Sequence, residues 1–455
     1  MLYRTALKYL LNWKNSSKRK PLIIRGARQV GKTQLVKNFS SEFRQYIEIN
    51  FDETPEKGDF FKNNTVQETI KLIEVDCGFK IVKGEALLFL DEIQAVSEVL
   101  PMLRYFYEKI PDLHVIAAGS LLEFLLADHE FSMPVGRIEY YFLGPLSFDE
   151  FLKNSNETLL LEYLHSFNFS KPIPESIHQK TINYLKTFFI IGGMPEAVDT
   201  WLKTDDFIQT QKIHASILQT YDDDFGKYRK RMNPEFLRTT LKRMPSLVGA
   251  KVRYSNIDRH IAPSALNAAI KALAKARIIT QIFHSSGNGI PLGAQINYKK
   301  FKPLLVDIGI YSFSLSLKLT DIHRDENIIM INKGALSEQF VGQELLHTIP
   351  AFIKPELFYW HREKKGSAAE IDYLCQKGQT IVPIEVKAGR TGSLRSLHTF
   401  TASKKSKIGV RFNLDTPSIV NVDTQINNIG RAEYKLISLP LYLTGQISRI
   451  LKDIF

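Results

Sequence analysis

Gly26-Ala27-Arg28-Gln29-Val30-Gly31-Lys32-Thr33 is a glycine-bounded loop ending in a lysine and a hydroxyl. It follows the apolar run Pro21-Leu22-Ile23-Ile24 and precedes a helix-like stretch, Thr33 to Phe39. Strand, loop of G-x-x-x-x-G-K-[ST] spacing and helix together make a phosphate cradle. Backbone N–H groups face the anion, and the helix N-terminus adds partial positive charge. Gly26, Ala27, Arg28, Gln29, Val30, Gly31, Lys32 and Thr33 are therefore candidate nucleotide-binding positions. Lys32 would carry full charge to the β- and γ-phosphates, and Thr33 would offer its hydroxyl to Mg²⁺. The glycines matter because a Cβ would hold the backbone off the anion.

A second group of chemistry-bearing residues is Ala86-Leu87-Leu88-Phe89-Leu90-Asp91-Glu92. A continuous apolar run ending in acids reads as a buried parallel strand with carboxylates at its C-terminal end, where ligands of such sheets bind. Asp91 is suited to the Mg²⁺ shell, and Glu92 to orienting and deprotonating the attacking water. Ser120, after the apolar run Leu113 to Ala118, is placed to sense a γ-phosphate or, equally, to cap a helix. Hydrolysis also needs positive charge against the transition state. Arg137 is the first candidate, with Arg104 and Arg28 behind it.

A third group lies far downstream. Glu370-Ile371-Asp372, a turn at Lys377-Gly378 and Ile381-Val382-Pro383-Ile384-Glu385-Val386-Lys387 form a hairpin. Strand alternation puts Glu385 and Lys387 on one face, with Asp372 near it. Glu338, on a helix-like stretch from Gly334 to Leu346, is a further acid. Two carboxylates and an ammonium are the equipment of Mg²⁺-dependent phosphodiester cleavage. Asp372 and Glu385 would hold metal, and Lys387 would stabilise or activate the nucleophile. The bland alternative is a surface hairpin with a charged wet face. Pro383 cannot donate a ladder hydrogen bond and argues for a bend before the site.

The elements that must hold these groups follow from the pattern. Strands alternating with helical stretches over residues 1–150 predict a doubly wound parallel α/β sheet. From about Glu150 to Tyr221, 3.6-residue periodicity predicts mainly helix, so 151–224 reads as a helical lid. Residues 225–320 read as a winged helix: helices near Pro234 to Leu247, Asn256 to His260 and Ser264 to Lys275, then β-like stretches Ile278 to Phe283 and Gln295 to Phe301. Residues 321–455 form the last domain.

Composition sets the outer limits. At 455 residues the chain exceeds one core, and 44% hydrophobic and 24% charged residues are ordinary for a soluble protein. No apolar run suits a membrane span, and the two cysteines, Cys77 and Cys375, belong to no C-x-x-C pair, which fits a reducing cytoplasmic setting. Between Phe225 and Thr320 there are 17 Lys or Arg and three acids, an excess of 14 against a chain total of +12. The positive charge is therefore confined to one segment. That is the footprint of a nucleic-acid surface, DNA ahead of RNA, or of a basic face docked on an acidic neighbour.

The phosphate loop, Leu90-Asp91-Glu92-Ile93-Gln94 and Gly144-Pro145-Leu146-Ser147-Phe148-Asp149-Glu150-Phe151 resemble a group of archaeal and bacterial AAA+ ATPases with a C-terminal domain of unknown function, a branch similar to the STAND signalling ATPases. Gly192-Gly193-Met194-Pro195 and Lys302-Pro303-Leu304-Leu305-Val306-Asp307-Ile308-Gly309 extend the resemblance over most of the chain. It implies an ATP and Mg²⁺-dependent ATPase, with Pro195 against the adenine. The hairpin cluster separately resembles the PD-(D/E)xK nuclease fold, which implies roles for Glu338, Asp372, Glu385 and Lys387, with Ile371 where a proline is usual. The expectation is an ATPase that drives a nucleic-acid-binding and nuclease-like working end. A nucleotide-controlled switch acting on a protein partner is the alternative, and self-association is left open.

Overall fold

The computed structural model describes residues 1–119, 136–228, 232–317, 333–363, 368–387 and 394–454. They form two units. The first comprises Met1–Pro145 with the short segments Lys275–Arg277 and Pro350–Lys354; the second comprises the rest.

The first unit is built on five parallel strands: β1 (Leu22–Arg25), β2 (Gln45–Asn50), β3 (Ala86–Asp91), β4 (His114–Ala118) and β5 (Glu139–Phe142), in the order β2-β3-β4-β1-β5. Every residue of β3 and β4 is buried, as a sheet covered on both faces requires. The loop after β1 enters the helix Lys32–Phe39, and β4 lies between β1 and β3. Both chemical loops therefore leave the same end of the sheet. The core closes around Ile23, Ile49, Leu88, Leu90, Leu103, Phe106 and Val115.

In the second unit the helical stretch forms as the periodicity predicts: Phe148–Asn154, Thr158–His165, Glu175–Ile191, Pro195–Thr204 and Phe207–Asp224. The basic segment gives the helices Pro234–Arg243, Tyr254–Ile257 and Pro263–Lys275, then β6 (Ile279–Ser285) and β7 (Ile296–Leu305). The remaining strands are β8 (Leu357–Arg362), β9 (Ala369–Lys377), β10 (Thr380–Val386), β11 (Ile408–Asn413), β12 (Ser418–Ile426) and β13 (Gly430–Pro440).

β6 and β7, expected as a wing, are the end of an eight-stranded sheet, β12-β13-β11-β10-β9-β8-β6-β7. β6 pairs in parallel with β8, Ile282 opposite Leu357. Strands on both sides of the expected division at residue 320 thus share one hydrogen-bonded layer. Periodicity reports each strand but not the distant partner that completes it.

The bend expected at Pro383 is absent. β9 and β10 pair without a register break from Thr380↔Lys377 to Ile384↔Tyr373, with Pro383 opposite Leu374. Pairing with β11 begins one residue later, at Ile384↔Val410. The missing N–H therefore removes no bond on that side.

Candidate functional site

The phosphate loop is held in an anion-ready form by local geometry. Gly31 adopts φ 87° and caps the helix Lys32–Phe39, and Gln29 adopts φ 66°. A Cβ at Gly26 would collide with the carbonyl of Leu143. Arg4, buried, ties the loop to the segment after β5: its guanidinium donates to Val30 O (3.2 Å), Gly144 O (2.7 Å) and Pro145 O (3.3 Å). Neither composition nor motif singles out Arg4, because its partners are backbone oxygens up to 141 residues away.

Lys32 is 6% exposed, and its ammonium donates to Gly26 O (3.2 Å) and Ala27 O (2.9 Å). Burial pulls its pKa down to about 8 against the opposing charges of Glu92 and Asp91. Thr33 Oγ1 donates to Asp91 Oδ2 at 2.7 Å, across 58 residues of sequence. Asp91 is buried, which raises its pKa, while Thr33 acts the other way. Glu92, at φ 52°, turns out of the strand; its N–H donates to Asp91 Oδ1 (3.0 Å), and Gln94 Nε2 donates to its Oε2 (2.5 Å). The structure thus brings Lys32, Thr33, Asp91 and Glu92 together as the spacing predicts. A hydroxyl and a carboxylate oxygen are the hard donors Mg²⁺ takes, so Thr33 and Asp91 fit that ion; the loop N–H groups and Lys32 fit the phosphates.

Arg137 and Arg104 both bond Glu108 Oε1, each at 3.0 Å through Nε. Arg28 acts electrostatically on Lys32, and so does Arg277, which sequence reasoning did not single out. Arg277 belongs to the first unit, at φ 58° and with its guanidinium 4.6 Å from the centre of the Phe142 ring. Ser120 lies outside the described residues.

The Gly-Gly-Met-Pro and Val-Asp-Ile-Gly segments form one structure in the second unit. Asp307, fully buried, accepts from Gly193 N (2.6 Å), Gly309 N (2.8 Å) and Ile310 N (3.1 Å), with Gln343 Nε2 at 3.5 Å. Burial raises its pKa to about 6 against these donors. Pro195 opens the helix Pro195–Thr204, and Leu146 N donates to Gly193 O at 2.6 Å.

The downstream cluster also assembles. Asp372 Oδ2 accepts from Val386 N at 2.8 Å, and Lys387 Nζ meets Glu385 Oε1 at 2.6 Å. Glu385 Oε2 is buried without a hydrogen-bond partner. Burial and the nearby Asp372 charge raise the Glu385 pKa. An orphaned carboxylate oxygen near a second carboxylate is a fit for one hard divalent ion at Asp372 and Glu385. Two members were not foreseen, Lys302 on β7 and Glu370 on β9. Lys302 Nζ lies 2.5 Å from Glu370 Oε1, 3.4 Å from Glu338 Oε2 and 3.6 Å from Asp372 Oδ1. The signal for Lys302 was a lysine entering the apolar half of a strand, Phe301-Lys302-Pro303-Leu304-Leu305, all of it buried.

The basic segment is partly neutralised inside the second unit. Arg238 pairs with Asp222 and Glu235, Lys227 with Asp224, and Lys251 and Lys300 with Glu363. Lys242, Arg243, Arg253, Arg259, Lys271 and Lys299 remain exposed. On the helix Pro263–Lys275, Leu266, Ile270 and Leu273 are buried and Ser264, Ala268 and Lys271 face solvent.

A parallel sheet with β4 between the phosphate-loop strand and the acid-bearing strand, and a Lys-Thr-Asp-Glu site at its end, defines a P-loop nucleotide-binding domain. Residues 18–152 match the family of an AAA domain (AAA_14). The first unit therefore holds an AAA+-like ATPase domain. Residues 182–321 and 333–442 each match a domain of unknown function (DUF8612 and DUF4143). No functionally curated protein matches the chain significantly. Solved structures similar to it include a Walker-type ATPase of Pyrococcus abyssi, with 17% identity, 69% of this chain and 96% of that one covered, and TM-score 0.45. A STAND protein with a tetratricopeptide repeat sensor from Pyrococcus horikoshii is 14% identical (77% of this chain, 46% of that one, TM-score 0.27). The Aeropyrum pernix ORC2 protein is 11% identical (72% and 93%, TM-score 0.36). Likenesses this distant carry no function across. Among the described residues no helix is long and apolar enough to cross a membrane.

Proposed function

We propose that the chain hydrolyses ATP with Mg²⁺ at Lys32, Thr33, Asp91 and Glu92, and that nucleotide state governs how its second unit holds nucleic acid. The observation that carries this is the 2.7 Å bond from Thr33 Oγ1 to Asp91 Oδ2 beside the buried Lys32. It links two motifs 58 residues apart, which supports one metal-and-phosphate site beside which Glu92 would act as the general base. Mg²⁺ supplies charge neutralisation on the phosphates. The protein groups orient them, and Glu92 takes the proton of the attacking water. Ser120 as γ-phosphate sensor, Pro195 as adenine contact and Arg137 as transition-state cation, acting on its own or a neighbouring subunit's site, belong to the same reading.

The exposed bases around Lys271 would meet phosphates rather than read base edges, since that helix presents small side chains. The cluster Glu338, Asp372, Glu385 and Lys387 would act on the phosphodiester, with Asp372 and Glu385 holding the metal. The deciding experiment measures Mg²⁺-dependent ATP hydrolysis with and without DNA, and DNA or RNA cleavage by wild type beside Glu385→Ala. Turnover that DNA alters, with cleavage lost in Glu385→Ala, is expected. Absence of any ATP turnover removes the reading.

A specific observation favours a second reading, a nucleotide-controlled switch for a protein partner. Several bases that suggested nucleic acid are already paired with acids. In that reading the protein has little DNA affinity, exchanges nucleotide slowly and does not cut.

A further inference from the structure

Four carboxylates, Glu338, Glu370, Asp372 and Glu385, gather around the downstream site, and they do not share their cations equally. Glu385 is neutralised at its Oε1 by Lys387, which is about one-third exposed. Glu338, Glu370 and Asp372 converge instead on Lys302, whose side chain is 1% exposed. The Lys302 ammonium also lies 5.4 Å from the centre of the Tyr359 ring, a further favourable neighbour for a cation. Burial works against the Lys302 charge, but Glu338, Asp372 and Glu370 outweigh it and hold its pKa well above the usual range.

A divalent ion bound by carboxylates needs its oxygens at roughly 2.0–2.6 Å. The point that these three carboxylates face is filled by an ammonium nitrogen that lies within 4 Å of an oxygen of each. Among the described residues, no group of three or more His, Cys, Asp or Glu side chains is arranged to hold a metal. We propose that Lys302 is a built-in cation that closes Glu338, Glu370 and the Oδ1 side of Asp372 to divalent metal, leaving Glu385 Oε2 with Asp372 Oδ2 as the one place for an ion among the described residues of the cluster. The inference rests on the nuclease-like reading of this site and limits it: such a site works with one ion at most, and Glu338 serves Lys302 rather than metal.

Mn²⁺ binding to the nucleotide-free full-length protein, counted by electron paramagnetic resonance, tests this apart from cleavage. Glu370 is one-third exposed, so Glu370→Gln should fold, and it should leave the wild-type Mn²⁺ count unchanged. Lys302→Met should bind one more Mn²⁺ than wild type, and Lys302→Met/Glu370→Gln should lose that extra ion. Binding at the phosphate loop is common to all variants and cancels. An ion lost from wild type on Glu370→Gln, or a folded Lys302→Met that gains none, overturns the proposal. If Lys302→Met does not fold, the Glu370→Gln count decides alone. Failure to cut nucleic acid would remove the nuclease reading and leave these counts as they are.

Discussion

In the proposed site Lys32 would bind phosphate and Glu92 would take the proton, so their variants should separate binding from chemistry. Lys32→Ala removes a buried ammonium that the phosphates would otherwise meet, so ATP affinity should fall by about 100-fold or more, on the order of 3 kcal/mol, in a calorimetric titration. Glu92→Gln keeps size and hydrogen bonding but cannot accept the proton. ATP should bind as in wild type while turnover falls by roughly 10²–10⁴-fold. Normal turnover in Glu92→Gln would take the general base away from this residue. Lys32, Thr33, Asp91 and Glu92 were legible because each motif is local and a parallel sheet delivers both loops to one end. Arg4, Arg277, Lys302 and Glu370 were not. Nothing in a linear sequence says which arginine will bond carbonyls 141 residues away, or which lysine of a basic segment will be buried.

At the scale of elements, the helix Pro263–Lys275 and the Gly192-Gly193 turn make different demands. Lys271 is exposed on that helix, and in the nucleic-acid reading proposed above it would contact phosphate. Lys271→Glu should weaken DNA binding at any sequence and reduce the slope of log affinity against log salt by about 1. An unchanged slope removes this helix from the interface. Gly193 has no room for a side chain, because a Cβ there would drive into the Leu146 carbonyl. Gly193→Ala should lower stability by about 3 kcal/mol in chemical denaturation, within the upper range for overpacking. The strands and helices of both segments were foreseen from periodicity. Their interlocking through Asp307 was not, since it joins backbone N–H groups that carry no side-chain signal.

The molecule as a whole should lose stability in acid, and His214 gives the sign. Burial lowers its pKa to about 4, while its Nε2 bonds Ile191 O at 3.0 Å. The unfolded chain titrates near ~6.5, so between those values the proton prefers the unfolded state. The contribution is present above pH ~6.5 and is lost as pH falls toward 4. By pH 5 the loss amounts to about 2 kcal/mol, 1.5 units at about 1.36 kcal/mol each. Unfolding midpoints should drop more steeply from pH 7 to 5 in wild type than in His214→Gln. Parallel slopes would show that this histidine does not titrate as described. His114 and His284, both lowered to about 4 chiefly by burial, act in the same direction.

The parallel pairing of β6 with β8 has a consequence for the order in which the chain can be made. Leu357 follows its partner Ile282 by 75 residues, so while the nascent chain emerges, β6 has only β7 beside it and one row of amides and carbonyls unclaimed. Until β8 leaves the ribosome, that row is a template any extended segment could occupy. Synthesis therefore passes through an interval of vulnerability to aggregation, whose length is set by translation speed and which ends only when the downstream strand arrives.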